Sequence, residues 1–278
     1  MQCQDETLRP FPGTTLFTRC WRPAGKTSRA VFVITHGFGE HCGRYENLVG
    51  ELLAHDLVVY SFDNPGFGRS SGRRGHVFSW AEYRDSLGFF LAHVRQSEGD
   101  KPLFLYGHSM GGLIVADYVL THPEGLTGVI LSGPALTQGA VSPVLVAVSR
   151  FLSVIWPTCT LDTKLDATAI SKDPKVVAAY CADPLVHSRA SARMGTEMAK
   201  AIAFVKENAP AFSPPLLIVH GASDRLVDPQ TSREFFEKAG SADKTRLDYA
   251  SCYHEPHNEV EWRKPVSDIL SWVEKRIP

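Results

Sequence analysis

The chain carries no surplus of charge of either sign. Its 29 Lys+Arg stand against 30 Asp+Glu, a formal charge of −1 at pH 7, so no global field holds a polyanion and nucleic acid is excluded as an expected partner. It also lacks paired cysteines. Cys3, Cys20, Cys42, Cys159, Cys181 and Cys252 are scattered with no CxxC spacing, and a chain of 278 residues can build a core without disulfide staples, so free thiols are expected. No run reaches the roughly 18 uninterrupted apolar residues of a membrane-spanning helix. The opening Met1-Gln-Cys-Gln-Asp-Glu6 is acidic where a secretory signal needs a basic start. A cytoplasmic protein follows as the expectation, with peripheral association as its one mode of membrane contact. Apolar residues at 44% and charged residues at 21% exclude a disordered, collagenous or coiled-coil chain.

What is present is an alternation. Short apolar runs at Ala30–Thr35, Leu57–Phe62, Pro102–Tyr106, Gly128–Leu131 and Pro215–Val219 end in glycine or polar turns and are followed by helical patterns. Continuous hydrophobicity of this kind marks strands buried on both faces, so the pattern predicts an α/β fold with a mostly parallel central sheet flanked by helices. Leu16–Trp21 and Thr245–Tyr249 read as further strands. Helices are predicted from Ser79, where Ser79 and Glu82 form a capping box, and over Pro265–Ile277. Between the strand near Ser132 and the one at Pro215 lie roughly eighty residues, where a crossover needs only about a dozen. The expected organisation is therefore a core of residues 1–134 and 213–278 with a helical cap, or lid, inserted over 135–212. The insertion contains Val141–Trp156, with Arg150 as its one charge and Ser142 and Pro143 placed as helix cap and first residue. Two readings stand for this helix: burial against the sheet, or a lid meeting lipid or lining an acyl pocket.

Chemistry is carried by Gly107-His108-Ser109-Met110-Gly111, a G-x-S-x-G pattern. A buried-strand run precedes it and a helical run follows, the strand–elbow–helix context in which Ser109 becomes a nucleophile. A serine hydroxyl needs a base, and the base needs a carboxylate to hold its tautomer. In the chain order serine, acid, histidine, Asp224 falls in the turn after a strand, while its rival Asp228 is placed to cap the helix beginning at Pro229. For the base, two histidines compete after the last strand, His254 and His257. The run His-Glu-Pro-His is one residue short of a zinc motif and contains Pro256, so no metal is expected there. The backbone N–H of Met110 and that of Phe38, in His36-Gly-Phe-Gly39, are the candidate oxyanion donors. His36 and His108 read as packing or hydrogen-bonding residues.

With these residues in view, a family resemblance emerges. His36-Gly-Phe-Gly-Glu-His-Cys-Gly-Arg-Tyr45, Asp63-Asn-Pro-Gly-Phe-Gly-Arg-Ser-Ser-Gly72, Gly107-His-Ser-Met-Gly-Gly112, Ser223-Asp-Arg-Leu-Val-Asp228 and Tyr253-His-Glu-Pro-His-Asn-Glu259 together resemble the monoacylglycerol lipase and lysophospholipase family of α/β-hydrolase-fold serine hydrolases. The resemblance implies Ser109 as nucleophile, Asp224 as acid, His257 as base, Phe38 and Met110 as oxyanion donors, and no cofactor. It implies a single-chain acyl-ester lipid as substrate, foremost a monoacylglycerol, with peripheral membrane contact through a mobile cap. It also places Glu40 and Arg44 near the glycerol end of the pocket, against the alternative of a structural ion pair. Phe38 stands where a small residue is common, and Asp63-Asn-Pro-Gly-Phe-Gly replaces a more usual Asp-x-x-Gly-His-Gly. Lysophospholipase and broad carboxylesterase activity are the rival enzyme readings, and a non-catalytic binding module is the rival of another class. Cys252, five residues before His257, reads either as an inert buried cysteine or as a point of sensitivity to bulky thiol reagents.

Overall fold

A computed structural model describes residues 2–25, 27–137 and 143–278. Its centre is an eight-stranded sheet built from β1 (Gln2–Leu8), β2 (Leu16–Arg22), β3 (Ala30–Thr35), β4 (Leu57–Phe62), β5 (Leu103–His108), β6 (Gly128–Ser132), β9 (Leu216–Gly221) and β10 (Lys244–Tyr249), in the order β1-β2-β4-β3-β5-β6-β9-β10. β1, β2 and β4 pair antiparallel, and every pairing from β4 through β10 is parallel. All the parallel strands thus present their carboxyl ends at one edge, where open α/β sheets carry their sites.

The sheet is covered on both faces, which is why its central strands read as unbroken apolar runs. Val31, Val33, Leu103, Leu105, Val129, Leu131, Leu216 and Ile218 point to one face, against α2 (Ala81–Glu98), α3 (Met110–Thr121) and α6 (Ala192–Asn208). The alternate residues Phe32, Ile34, Phe104, Tyr106, Ile130, Leu217 and Val219 point to the other, against α1 (Glu46–Ala54) and α8 (Arg263–Glu274). The period-2 register divides one hydrophobic sequence between two cores. α7 (Pro229–Lys238) follows β9, and Asp228 caps it by accepting from the Gln230 N–H, as its position before a proline predicts. At α2, Glu82 accepts from the N–H groups of Phe78 and Ser79 while Ser79 Oγ accepts from Ala81, so both capping-box residues act at the predicted start.

β1 has no counterpart in the sequence reading. Its residues Gln2 to Thr7 are exposed, so it shows neither an apolar run nor an alternation, and backbone pairing to β2, with the Arg19–Asp5 ion pair beside it, defines it.

Residues 133–215 connect the neighbouring strands β6 and β9. They contain α4 (Pro143–Ile155), a two-stranded hairpin of β7 (Thr160–Asp162) and β8 (Arg189–Ser191), α5 (Pro174–Ala182) and α6. α6 is not peripheral: Met194, Ala201, Ile202 and Val205 enter the main core beside α3, so it closes the parallel crossover. α4 packs on α6 inside out. Phe151 at 63% exposure, Val154 at 77% and Trp156 at 59% face outward, while Ser153, at 3%, is turned inward to hydrogen-bond Thr196 at 2.8 Å. Its outward face is therefore the apolar one. Val141 and Ser142, expected to begin this helix, lie outside the described residues. No helix among the described residues is long and apolar enough to cross a membrane.

Candidate active site

Ser109 sits between β5 and α3 with φ 52° and ψ −118°, a backbone conformation that costs a non-glycine residue energy and is held by its surroundings. The neighbours permit it. A Cβ on Gly107 would run into the Gly111 carbonyl, and one on Gly111 would strike the Thr35 carbonyl, so the pattern's glycines let β3, β5 and α3 converge behind the serine. The Ser109 N–H donates to the Ser132 carbonyl at 2.9 Å, locking the turn to the end of β6.

The loop after β3 lies against this turn: a Cβ on Gly37 would stand 3.2 Å from Ser109 Cβ. Its orientation is fixed by His36, whose Nδ1 lies 2.7 Å from the Gly37 carbonyl and whose Nε2 accepts from the Asn64 N–H at 2.8 Å. Those partners set the tautomer with the proton on Nδ1, and burial pushes the His36 pKa down, keeping the ring neutral. Because a trans peptide points its C=O and N–H in opposite directions, holding the Gly37 carbonyl also aims the Phe38 N–H. Among the described residues, neither the Phe38 nor the Met110 N–H meets an acceptor in the chain. His36 matters here for a reason its motif position did not disclose.

Asp224 follows β9, and its side chain is fully buried. Its Oδ1 accepts from the N–H groups of Leu226 and Val227 at 2.8 and 3.0 Å, and its Oδ2 lies 3.1 Å from His220 Nε2 and 2.7 Å from His254 Nδ1. Burial alone would raise its pKa, but the His254 charge and these hydrogen bonds outweigh it and hold the carboxyl well below the usual range. His254 responds in kind: burial disfavours its charged form, yet the Asp224 charge and hydrogen bond prevail and raise its pKa. With Nδ1 donating to a carboxylate, Nε2 is left as the acceptor. The ring is packed over the ends of β5 and β6, 4.8 Å from the His108 ring and close to Gly133.

This corrects the expectation for the base. Asp224 is paired with His254 and not with His257. The intervening Glu255 and Pro256 start a short 3₁₀ turn over Pro256–Asn258, which carries His257 away from the acid and under the sheet edge. There its ring stacks on Tyr45 with centroids 4.8 Å apart, its Nδ1 faces the Tyr106 hydroxyl at 3.3 Å, and its buried Nε2 has no partner among the described residues. Burial pushes its pKa down to about 3, the largest of several effects. One signal could have separated the two histidines: His254 is the nearer to the end of β10, before the chain turns at the proline.

Glu40 and Arg44 are likewise placed by the structure in an ion-pair network, the alternative to a substrate-head role. Glu40 Oε1 accepts from the Gly37 N–H and the Tyr45 hydroxyl, both at 2.6 Å, and Oε2 from Arg44 at 2.8 Å. Arg44 forks onto Glu255 at 2.7 and 2.9 Å and lies 4.7 Å over the Tyr180 ring. Burial would raise the Glu255 pKa, but Arg44 outweighs it and lowers it to about 2. Both Glu40 oxygens are thus engaged within the chain, and the network ties the loop after β3 to the residue next to His254. Sequence reasoning overlooked Glu255 and Tyr45, although both stand inside motifs it singled out. The Cys252 thiol is buried and its pKa is pushed up to about 11, chiefly by burial, which favours the inert reading over thiol reactivity.

The family described as serine aminopeptidase, S33, matches residues 26–261. A monoacylglycerol lipase of Mycolicibacterium smegmatis is 36% identical across 94% of this chain and 93% of its own length. The chain belongs to the monoacylglycerol lipase family of α/β-hydrolase-fold serine hydrolases. Among solved structures of such lipases, one from Paleococcus ferrophilus is 33% identical with a TM-score of 0.85, covering 94% of this chain and 99% of that one. A soluble variant of the Saccharomyces cerevisiae monoglyceride lipase, in complex with a substrate analog, is 25% identical with a TM-score of 0.87 over 99% of this chain and 95% of that one.

Proposed function

We propose that this protein hydrolyses the ester of a monoacylglycerol to a free fatty acid and glycerol through an acyl-enzyme on Ser109, with His254 as base and Asp224 as acid. The observation that carries this reading is the 2.7 Å contact of His254 Nδ1 with Asp224 beside a strained nucleophile turn. Ser109 Oγ attacks the ester carbonyl as His254 Nε2 takes its proton, and Asp224 stabilises the imidazolium. The developing oxyanion is received by the N–H groups of Phe38 and Met110. His254 then protonates the departing glycerol oxygen and, in the second half, draws a proton from water to release the acid.

The monoacylglycerol specificity rests on the similarity to named lipases along nearly the whole chain. The outward apolar face of α4, with Phe151, Val154 and Trp156, supports peripheral contact with the lipid surface from which a single-chain ester is drawn. The test is a panel of monoacylglycerols, diacylglycerols, lysophosphatidylcholine and p-nitrophenyl esters of one chain length, with Ser109→Ala as control. Fastest turnover of the monoacylglycerol is expected. Faster turnover of lysophosphatidylcholine would reverse the substrate assignment, and hydrolysis by Ser109→Ala within tenfold of the parent would remove the nucleophile.

A further inference from the structure

Beside the loop after β3, the loop after β4 and the β7–β8 hairpin enclose a cleft of about 840 Å³. Arg73, Arg74 and Arg189 line it together with His187, Leu161 and a single carboxylate, Asp162. Three arginines therefore line the cleft against one acid. Among the described residues none of the three arginines forms an ion pair, and Arg74 Nη1 is buried without any hydrogen-bond partner. A buried donor left unpaired is costly, and one beside two like charges is more so. The backbone around the cleft is firmly built: the Ser191 N–H donates to the Gly75 carbonyl at 2.8 Å, and a Cβ on Gly75 would run into the Arg189 carbonyl.

We propose that this cleft is a binding site for a phosphate group, with Arg73, Arg74 and Arg189 as its cationic wall. Guanidinium is always charged, and its planar fork matches phosphate oxygens pairwise. The surplus of two positive charges suits a phosphate better than a single carboxylate. The volume leaves room for the organic part of a phosphate ester, within the range of small-molecule sites. Leu161, which also lines the cleft, is 55% exposed and offers an apolar contact for that organic part. The site also borders the catalytic loop. The His187 N–H donates to the Gly39 carbonyl at 3.0 Å, and its ring stacks on Phe67 at 5.0 Å and meets Phe38 edge-on at 6.4 Å.

Two sources share this chemistry, a soluble phosphate ester and the head group of an anionic phospholipid. Thermal shifts and calorimetry with glycerol phosphate, against chloride at equal ionic strength, test the first. Co-sedimentation with phosphatidylglycerol-containing vesicles, against pure phosphatidylcholine vesicles, tests the second. Saturable stabilisation by glycerol phosphate or preferential binding to the phosphatidylglycerol vesicles supports the site, and which of them occurs identifies the source. The effect is expected to fall by about fivefold for each of Arg73→Gln and Arg189→Gln, as for one basic residue at an anionic surface. Arg263→Gln, a charge removed elsewhere on the surface, is expected to leave it unchanged, and p-nitrophenyl ester turnover verifies folding of every variant. Neither stabilisation nor vesicle preference in the parent protein overturns the proposal, as does an equal loss in Arg263→Gln, which would indicate general charge and not a site.

Discussion

The imidazole of His257 lies flat on the Tyr45 ring, with planes 8° apart and centroids 4.8 Å apart. That stack, three residues beyond the histidine that holds Asp224, gives the two neighbouring histidines different surroundings. One holds the carboxylate of Asp224 and the other is buried against Tyr45.

Substitution distinguishes them directly. His254→Gln is expected to lower kcat/KM for a soluble ester by about 10⁴ or more, in line with removal of a general base from a triad. His257→Gln should retain turnover within about tenfold of the parent, because it touches no reacting group. Steady-state kinetics on both purified variants decide the matter, and a larger loss in His257→Gln than in His254→Gln would reverse the assignment.

The pH–rate profile carries a second expectation. Protonated His254 cannot take the Ser109 proton, so kcat/KM falls as pH falls through the His254 pKa. Since Asp224 raises that pKa above the ordinary histidine value near 6.5, the acid limb should lie above 6.5. Asp224→Asn should move the limb downward while reducing the rate, and a limb below 6.5 in the parent protein would contradict the pairing.

Stability in acid reports on His257 instead. Its folded pKa of about 3 lies below its ordinary value of 6.5, so the unfolded chain binds a proton between these values that the folded chain refuses. Its contribution to stability is therefore complete above pH 6.5 and is lost as pH falls toward 3. One proton corresponds to a slope of about 1.4 kcal/mol per pH unit. Urea unfolding between pH 4 and 6 should show a slope shallower by up to that amount in His257→Phe, which keeps an aromatic ring on Tyr45, and an unchanged slope would refute the buried neutral assignment.

The Arg44 network predicts a large structural cost. Arg44→Leu leaves Glu40 and Glu255 buried without their counter-charge, and breaking such a pair typically costs about 3–5 kcal/mol. Arg44→Lys should restore only part of it, because an ammonium cannot fork onto the Glu255 oxygens. Denaturant midpoints measure both. A loss below about 1 kcal/mol in Arg44→Leu, the size typical of a surface ion pair, would show that the network is not what holds this loop.

The outward face of α4 gives an opposite expectation. Phe151→Ser and Trp156→Ser remove exposed apolar groups and should change stability by no more than about 0.5 kcal/mol. Turnover of a soluble short ester should stay unchanged while hydrolysis of monoacylglycerol in vesicles falls severalfold. Equal vesicle activity would dissociate the apolar face from lipid contact.

The sheet was legible because burial on both faces leaves a local signature. Ala30–Thr35 and Leu57–Phe62 stand as strands at the bounds their apolar runs predict, and the residues flanking Ser109 marked the elbow. β1 was not legible, since an exposed edge strand is held by backbone hydrogen bonds that no side-chain pattern encodes. The apolar character of α4 was evident in its composition, but its orientation was not. The exposure of Phe151 and Val154 and the Ser153–Thr196 hydrogen bond together show it.

By itself, the sequence determined the α/β alternation, the insertion between the strands at Ser132 and Leu216, the strand–turn–helix at Ser109 and the turns after β9 and β10 that carry Asp224 and the two histidines, because each depends on neighbouring residues or simple spacing. Which histidine meets Asp224, whether Glu40 and Arg44 face a substrate or one another, and which arginines share a cleft were decided by the tertiary structure. Those relationships join residues far apart in the chain, His254 to Asp224 and Arg44 to Glu255, and follow from how the ends of parallel strands converge at one edge of the sheet.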